Sequence, residues 1–328
     1  MAVDNLKYKN KYIKYKNKYL ELSINKKITN YIYDQLGGSS YSYNIYDFKS
    51  VMKYINDRFN DTMNNNNNTK NKYFVVLYGP PSSGKTFAEK VAYMLINDIE
   101  KQNNINFIKN TFIHTNVDEL IYDLCNISTL NTSCEKISNI LKSNIDNFNK
   151  INTDNISIQQ LSTKQIQDYI EKYEKQNMDA YNNKFQLVSH LSSFLLYFSI
   201  YLGKNIFFET SGKSLDYLYQ IIDEMIKYNY IPIIVYPVIN DPNVLYKRIY
   251  DRMLKEGRSV NKTYMDETIQ NAPINFLKFF DKYKIKNNVI IYSYDANINI
   301  TDYNELSSNE KLDEFKSKLK KYELINIK

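Results

Sequence analysis

The segment Gly79-Pro80-Pro81-Ser82-Ser83-Gly84-Lys85-Thr86 constrains this chain more than any other. It fits G-x-x-x-x-G-K-[ST], a loop whose backbone cradles the phosphates of a nucleoside triphosphate. Its flanks fit as well. Tyr73-Phe74-Val75-Val76-Leu77-Tyr78 reads as a buried strand entering the loop, and Phe87 to Ile96 as a helix leaving it, with Phe87, Val91, Met94 and Leu95 on one side. Gly79 and Gly84 let the backbone curl so that successive N–H groups point at phosphate oxygens. The helix N-terminus adds partial positive charge. Lys85 reaches the β- and γ-phosphates, and Thr86 offers its hydroxyl to Mg²⁺. All eight residues are therefore candidate binders of ATP or GTP.

Strands alternate with helices after the loop. Thr111 to Thr115, Asn205 to Glu209, Ile231 to Ile239 and Asn288 to Tyr294 read as strands. Pro237 sits awkwardly for an interior ladder position in the third of these. Gln186 to Tyr201, Leu215 to Tyr228, Asn243 to Leu254 and Met265 to Tyr283 read as helices, the last bent or restarted at Pro273. This order predicts an α/β fold: a doubly wound, mainly parallel sheet with helices on both faces, of the P-loop NTPase kind. Ligands in such sheets bind at the carboxyl ends of the strands. The loop, Asp118 and Glu209 each follow or end a strand, so all three belong to one rim.

The domain ledger reads as a basic arm over 1–36, a linker with a short helix and an Asn run over 37–72, and a catalytic domain over 73–300. A polar, helical insertion occupies about 125–200 of that domain, and an amphipathic helix, Glu305 to Leu324, fills most of 301–328. The net charge of +7 is concentrated in the arm. There Lys-Tyr-Lys-Asn-Lys-Tyr-Ile from Lys7 is followed by Lys-Tyr-Lys-Asn-Lys-Tyr-Leu from Lys14, an amphipathic helical pattern. It fits a solvated extension, or docking to an acidic partner or nucleic acid. The rest of the chain is nearly neutral, which speaks against a polynucleotide groove. Cys125 and Cys134 are not spaced as a metal or disulfide framework, and His114 and His190 read as core residues. Leu191 to Leu202 is too short to span a membrane. A cytoplasmic setting, host cytoplasm or virion, is the expectation, with no membrane partner.

Arginine is scarce: four against 39 Lys, with three of the four, Arg248, Arg252 and Arg258, inside eleven residues. A planar guanidinium fork suits phosphate oxygens as a Lys point charge does not. Arg248 and Arg252 share one helical face and, with Arg258, are candidates to close over a γ-phosphate. Asp118 suits the role of acceptor base, although Asp is also a favoured helix N-cap.

The order of these features resembles the zeta-toxin family of P-loop kinases. Val117-Asp118-Glu119-Leu120 matches a strand followed by a catalytic Asp, and Phe208-Glu209-Thr210-Ser211-Gly212 a strand ending in Glu with a hydroxyl residue nearby. Tyr246 to Arg252 matches the Arg-bearing helix, and Gly257-Arg258-Ser259-Val260 a further Arg before a helix. Ile121 stands where that family often carries Arg. The resemblance implies a kinase using ATP or GTP and Mg²⁺ to phosphorylate a small-molecule hydroxyl, with UDP-N-acetylglucosamine the acceptor in bacterial members. It implies Asp118 as base, Lys85 and the arginines as phosphate ligands, and Glu209, Thr210 and Ser211 as acceptor contacts. The basic arm resembles N-terminal segments of giant DNA virus proteins. Two other classes remain open: a nucleotide or polynucleotide kinase, and a virion protein that binds nucleotide without turnover.

Overall fold

The computed structural model describes residues 71–101, 109–118, 120, 139, 141–146, 162–168, 171, 192–193, 195–197, 199–200, 202–284, 288–296 and 320–321. The expected arm, the linker up to residue 70 and much of the insertion lie outside these residues.

Strand β1 (Lys72–Tyr78) is buried along nearly its whole length, the signature of a parallel strand covered on both faces. It starts one residue before the boundary drawn from the sequence. Its side chains alternate between two cores. Tyr73, Val75 and Leu77 pack against helix α1 (Lys85–Glu100), through Phe87, Ala88, Val91 and Leu95. Phe74, Val76 and Tyr78 pack on the opposite face with Leu218 and Ile222 of α2 (Leu215–Lys227), and with Ala272, Phe276 and Phe279 further along the chain. Each such aliphatic or aromatic side chain contributes roughly 1.5–3 kcal/mol when fully buried.

The other strands are β2 (Phe112–His114), β3 (Asn205–Thr210), β4 (Tyr230–Val238), β5 (Ile290–Asp295) and β6 (Lys320–Lys321). Among the described residues they form one sheet in the order β2-β3-β1-β4-β5-β6. β1 runs parallel to β3 and β4, with Leu77 opposite Glu209 and Val235. Every pairing from β2 to β5 is parallel, and the helices lie on both faces, so the doubly wound α/β expectation holds.

Both prolines of β4 fall where a missing N–H costs no ladder bond. The Val238 carbonyl accepts from Ala296 N–H, so even-numbered residues of β4 direct their polar groups towards β5. Pro232 precedes the first β5 partner at Ile233, and Pro237 lies beyond the last β1 partner at Val235.

Helix α4 (Lys262–Tyr283), which follows α3 (Pro242–Glu256), continues through Pro273 without restarting there. Its buried stripe of Ala272, Phe276, Phe279 and Tyr283 is anchored in the core, and that burial outweighs a proline penalty of about 3 kcal/mol. The helix expected over Glu305 to Leu324 contains strand β6 instead, antiparallel to β5 with Ser293 opposite Lys320. An open sheet edge leaves N–H and C=O groups unpaired, and pairing there overrides a local helical pattern. The rest of 301–328 lies outside the described residues. Within the insertion, 141–146 and 163–168 are helical. Among the described residues no helix is long and apolar enough to cross a membrane.

Tyr78, the last residue of β1, ties the sheet to α4 just before the phosphate loop. Its hydroxyl donates to the Ala272 carbonyl at 2.8 Å, and its ring meets Tyr236 edge-on at 5.1 Å. Tyr78→Phe would leave that buried carbonyl without its phenolic donor. The expected cost is about 1–2 kcal/mol in urea denaturation, with the m-value unchanged.

Candidate active site

The phosphate loop leaves β1 through Gly79 (φ 138°), passes Ser82 (φ 61°) and enters α1 at Gly84 (φ 98°). A Cβ at Gly79 would press on Ser83 Oγ at 2.9 Å, so both backbone freedom and space require glycine there. Gly79 N–H donates to the Thr210 carbonyl at 3.1 Å, fastening the loop to the end of β3. No side chain caps α1 and no acid occupies its first turn, which leaves an N-terminus suited to an anion. Lys85 Nζ lies along the loop, donating to the carbonyls of Gly79 and Pro80 at 3.2 and 3.1 Å. The Ser83 hydroxyl is buried and finds no hydrogen-bond partner among the described residues. Curled backbone, an uncapped helix start and an unspent buried hydroxyl all fit a bound phosphate chain. Thr86 is exposed at the start of α1.

Asp118 follows β2. The capping role is taken by Asn116, whose Oδ1 accepts from Asp118 N–H at 2.9 Å. The Asp118 carboxylate instead faces two arginines. Arg252 Nη2 donates to Asp118 Oδ2 at 2.8 Å, and Arg258 Nη1 stands 3.6 Å from the same oxygen. Local chemistry brings both guanidiniums there. Helix α3 starts at Asp241, whose side chain accepts from Asn243 N–H, with Pro242 in the first turn. It ends at Gly257 (φ 66°), a left-handed reversal in which Gly257 N–H donates to the Met253 carbonyl. A Cβ at Gly257 would run into the Leu141 carbonyl. The reversal swings Arg258 back beside Arg252, and Glu256 accepts from the Nε of both, at 3.1 and 3.0 Å.

Arg248 has a different position. It donates to the Ser82 carbonyl at 3.3 Å and to the Ala296 carbonyl at 3.0 Å, linking the phosphate loop to the end of β5. The three arginines thus divide: Arg248 on the loop, Arg252 and Arg258 on Asp118.

Glu209 closes the rim on the β3 side. Asn116 Nδ2 donates to Glu209 Oε1 at 2.7 Å, so one Asn both caps the turn before Asp118 and orients Glu209. Thr210 and Ser211 line an open cleft of about 520 Å³ with Lys213, Tyr217, Tyr264 and Asn275. Tyr264 donates to Ser211 Oγ at 2.6 Å, and Asn275 holds the turn through the Gly212 and Lys213 carbonyls.

The charges are coupled. Burial pulls the Lys85 ammonium below its ordinary value, and Glu209 and Asp118 pull it partly back. Burial pushes Asp118 up, but Arg252, Arg258 and Lys85 outweigh it and hold the carboxyl below the usual range. Glu256 is treated alike: burial raises it, and Arg258 with Arg252 brings it down. Among the described residues no three His, Cys, Asp or Glu side chains form a metal cage.

Sequence reasoning missed Asn116, Glu256, Tyr264 and Asn275. Asn two residues before Asp at a strand end is a capping signal, and Arg252-x-x-x-Glu256 is an i, i+4 pair on a helix. Tyr264 and Asn275 carry no such signal, because α4 reaches the cleft only by folding.

Sheet, loop and rim define an α/β P-loop NTPase fold. The family model described as Zeta toxin matches residues 144–307, half of the chain. That stretch contains Glu209, Arg248, Arg252 and Arg258, while the phosphate loop and Asp118 precede it. An uncharacterized protein of Acanthamoeba polyphaga mimivirus is 35% identical over 335 residues, spanning 96% of this chain and 90% of the relative. The chain belongs to the zeta toxin family, as a giant-virus member. A solved structure from the PezAT chromosomal toxin–antitoxin system of Streptococcus pneumoniae is similar at TM-score 0.45 and 10% identity, over 75% of this chain and 77% of that one.

The depressed carboxyls have a measurable consequence. Asp118 and Glu256 have folded-state values below their unfolded ones, so their stabilisation is present above about pH 4 and is lost as pH falls through the folded values. Thermal midpoints should therefore drop as pH is lowered below about 4. Arg252→Ala removes a partner of both groups and should flatten that drop in a calorimetric pH series.

Proposed function

We infer that this chain is a nucleoside-triphosphate-dependent kinase that moves a γ-phosphate to a hydroxyl of a small molecule. The observation that carries this reading is the convergence of Asp118 with Arg252 and Arg258 on the rim that also holds Lys85 and Glu209. Phosphoryl transfer asks little covalent chemistry of a protein. It asks for positioned phosphates, cations for the developing charge and a group to take the acceptor proton.

Loop N–H groups and Lys85 hold the donor phosphates, and Thr86 would hold Mg²⁺, whose charge helps neutralise the phosphate oxygens. Asp118 takes the proton of the acceptor hydroxyl. The acceptor oxygen then bonds to the γ-phosphorus as the bond to the bridging oxygen breaks, and the nucleoside diphosphate leaves with that electron pair. Arg252 and Arg258 face the space between base and phosphate, where the charge develops. Glu209 and the cleft formed by Ser211, Lys213, Tyr217 and Tyr264 would take the acceptor. Hydroxyl, amide and ammonium groups beside two tyrosine rings suit a polar, ring-bearing molecule, and the family resemblance puts a UDP-amino sugar first. On this reading the work is done in the host cytoplasm or the virion, and the basic arm docks an acidic partner or nucleic acid.

The test is transfer from γ-labelled ATP and GTP to a panel of UDP-N-acetylglucosamine, other nucleotide sugars, nucleosides and 5′-hydroxyl oligonucleotides. Label is expected in a nucleotide sugar. Lys85→Ala should abolish nucleotide binding, and Asp118→Asn should lower transfer by roughly 10²–10⁴-fold with binding retained. Label confined to oligonucleotides would make this a polynucleotide kinase. Nucleotide binding with no transfer to any acceptor would favour a non-catalytic binder.

A further inference from the structure

Glu256 lies outside the residues that would touch either substrate, yet it is the hub of the arginine pair. Its Oε2 accepts from Arg252 Nε at 3.1 Å and from Arg258 Nε at 3.0 Å, and Arg258 Nη2 donates to it as well. Asp118 Oδ2 closes the figure from the other side through Arg252 Nη2 and Arg258 Nη1. Two guanidiniums and two carboxylates thus form a closed ring of alternating charge. Arg258 is deep in it, its side chain only 11% exposed.

Resting on the kinase reading above, we propose that Glu256 is a positioning residue that pins the Nε edges of Arg252 and Arg258, so that their remaining N–H groups face the γ-phosphate of the donor as one preassembled clamp. Three points support this role. Two like charges brought this close repel, and an anion between them offsets that repulsion. A guanidinium carries five N–H donors in a rigid plane, so fixing its Nε edge fixes the direction of the rest. The Gly257 reversal sets Arg258 beside Arg252, and Glu256, the residue before that glycine, accepts from the Nε of both and joins them.

The prediction concerns the third phosphate and needs no acceptor. Dissociation constants of ATP and ADP are measured with Mg²⁺ for the full chain and for Glu256→Gln, alongside thermal midpoints. The wild type should prefer ATP over ADP by more than about tenfold, the effect of one or two charge-assisted contacts. Glu256→Gln keeps an acceptor oxygen and loses the charge. It should cut that preference to about threefold or less by weakening ATP alone, with ADP affinity within about twofold of wild type. Arg258→Lys keeps charge and loses the fork, so it should reproduce the loss, and the double variant should add little more. The Lys variant also carries the test if Glu256→Gln fails to fold. Equal loss of ATP and ADP affinity, or an unchanged ATP preference, would overturn the positioning role while leaving the kinase reading intact. A wild-type chain that binds neither nucleotide would overturn both.

Discussion

The burial of β1 on both faces and its pairing on both edges set the terms for everything else. A strand whose side chains from Tyr73 to Tyr78 are all removed from water needs cover above and below, and α1 on one face with α2 and α4 on the other supply it. With β3 and β4 bonded along its edges, β1 cannot shift register without disrupting two ladders. Its carboxyl end therefore emerges at the centre of the rim in one fixed orientation. The phosphate loop inherits that rigidity, and the bond from Gly79 N–H to the Thr210 carbonyl passes it to the neighbouring strand. A site built on strand ends in this way keeps its groups in place without spending binding energy to assemble them.

On this scaffold the rim concentrates charge in a partly desolvated space. Lys85, Arg252 and Arg258 face Asp118, Glu209 and Glu256; the arginines hold Asp118 and Glu256 low, and the acids pull Lys85 partly back up against its burial. Half-buried ion pairs of this kind are poor stabilisers, because desolvation offsets most of the attraction. Their value lies in orientation. Arg252 and Asp118 hold each other at 2.8 Å across 134 positions of sequence, so the pair defines where carboxylate and guanidinium stand relative to the loop. A carboxyl held low is ionised near neutrality, and phosphate oxygens competing for the same guanidiniums would raise its affinity for a proton.

Much of the fold was legible in the sequence, and the exceptions follow a rule. The loop, its strand and its helix are continuous in sequence and governed by local chemistry. So is the α3 boundary, with Asp241-Pro242 at one end and Gly257 at the other. Whether a helix restarts at Pro273 stayed open, and the strand at Lys320–Lys321 was misread as helix, because the forces that decide both come from elsewhere: core packing for α4, and the open edge of β5 for Lys320–Lys321. Pro237 looked awkward only because the point where β1 turns away into the loop cannot be seen from β4 alone. The same holds at the site. Residue types and order singled out Lys85, Asp118, Glu209 and the arginines, but not that Arg248 serves the loop while Arg252 and Arg258 serve Asp118.

The sequence by itself determined the phosphate loop, the parallel α/β class and the short list of charged residues at strand ends, because each is set by neighbours within a few positions. Tertiary structure alone decided which of those charges meet, that Asn116 and Glu256 hold them, and that Tyr264 and Asn275 complete the cleft. The physical reason is range. Backbone preference, capping and hydrophobic period act over one or two turns of chain, whereas ion pairing and cleft formation depend on distances that exist only once distant strands have packed.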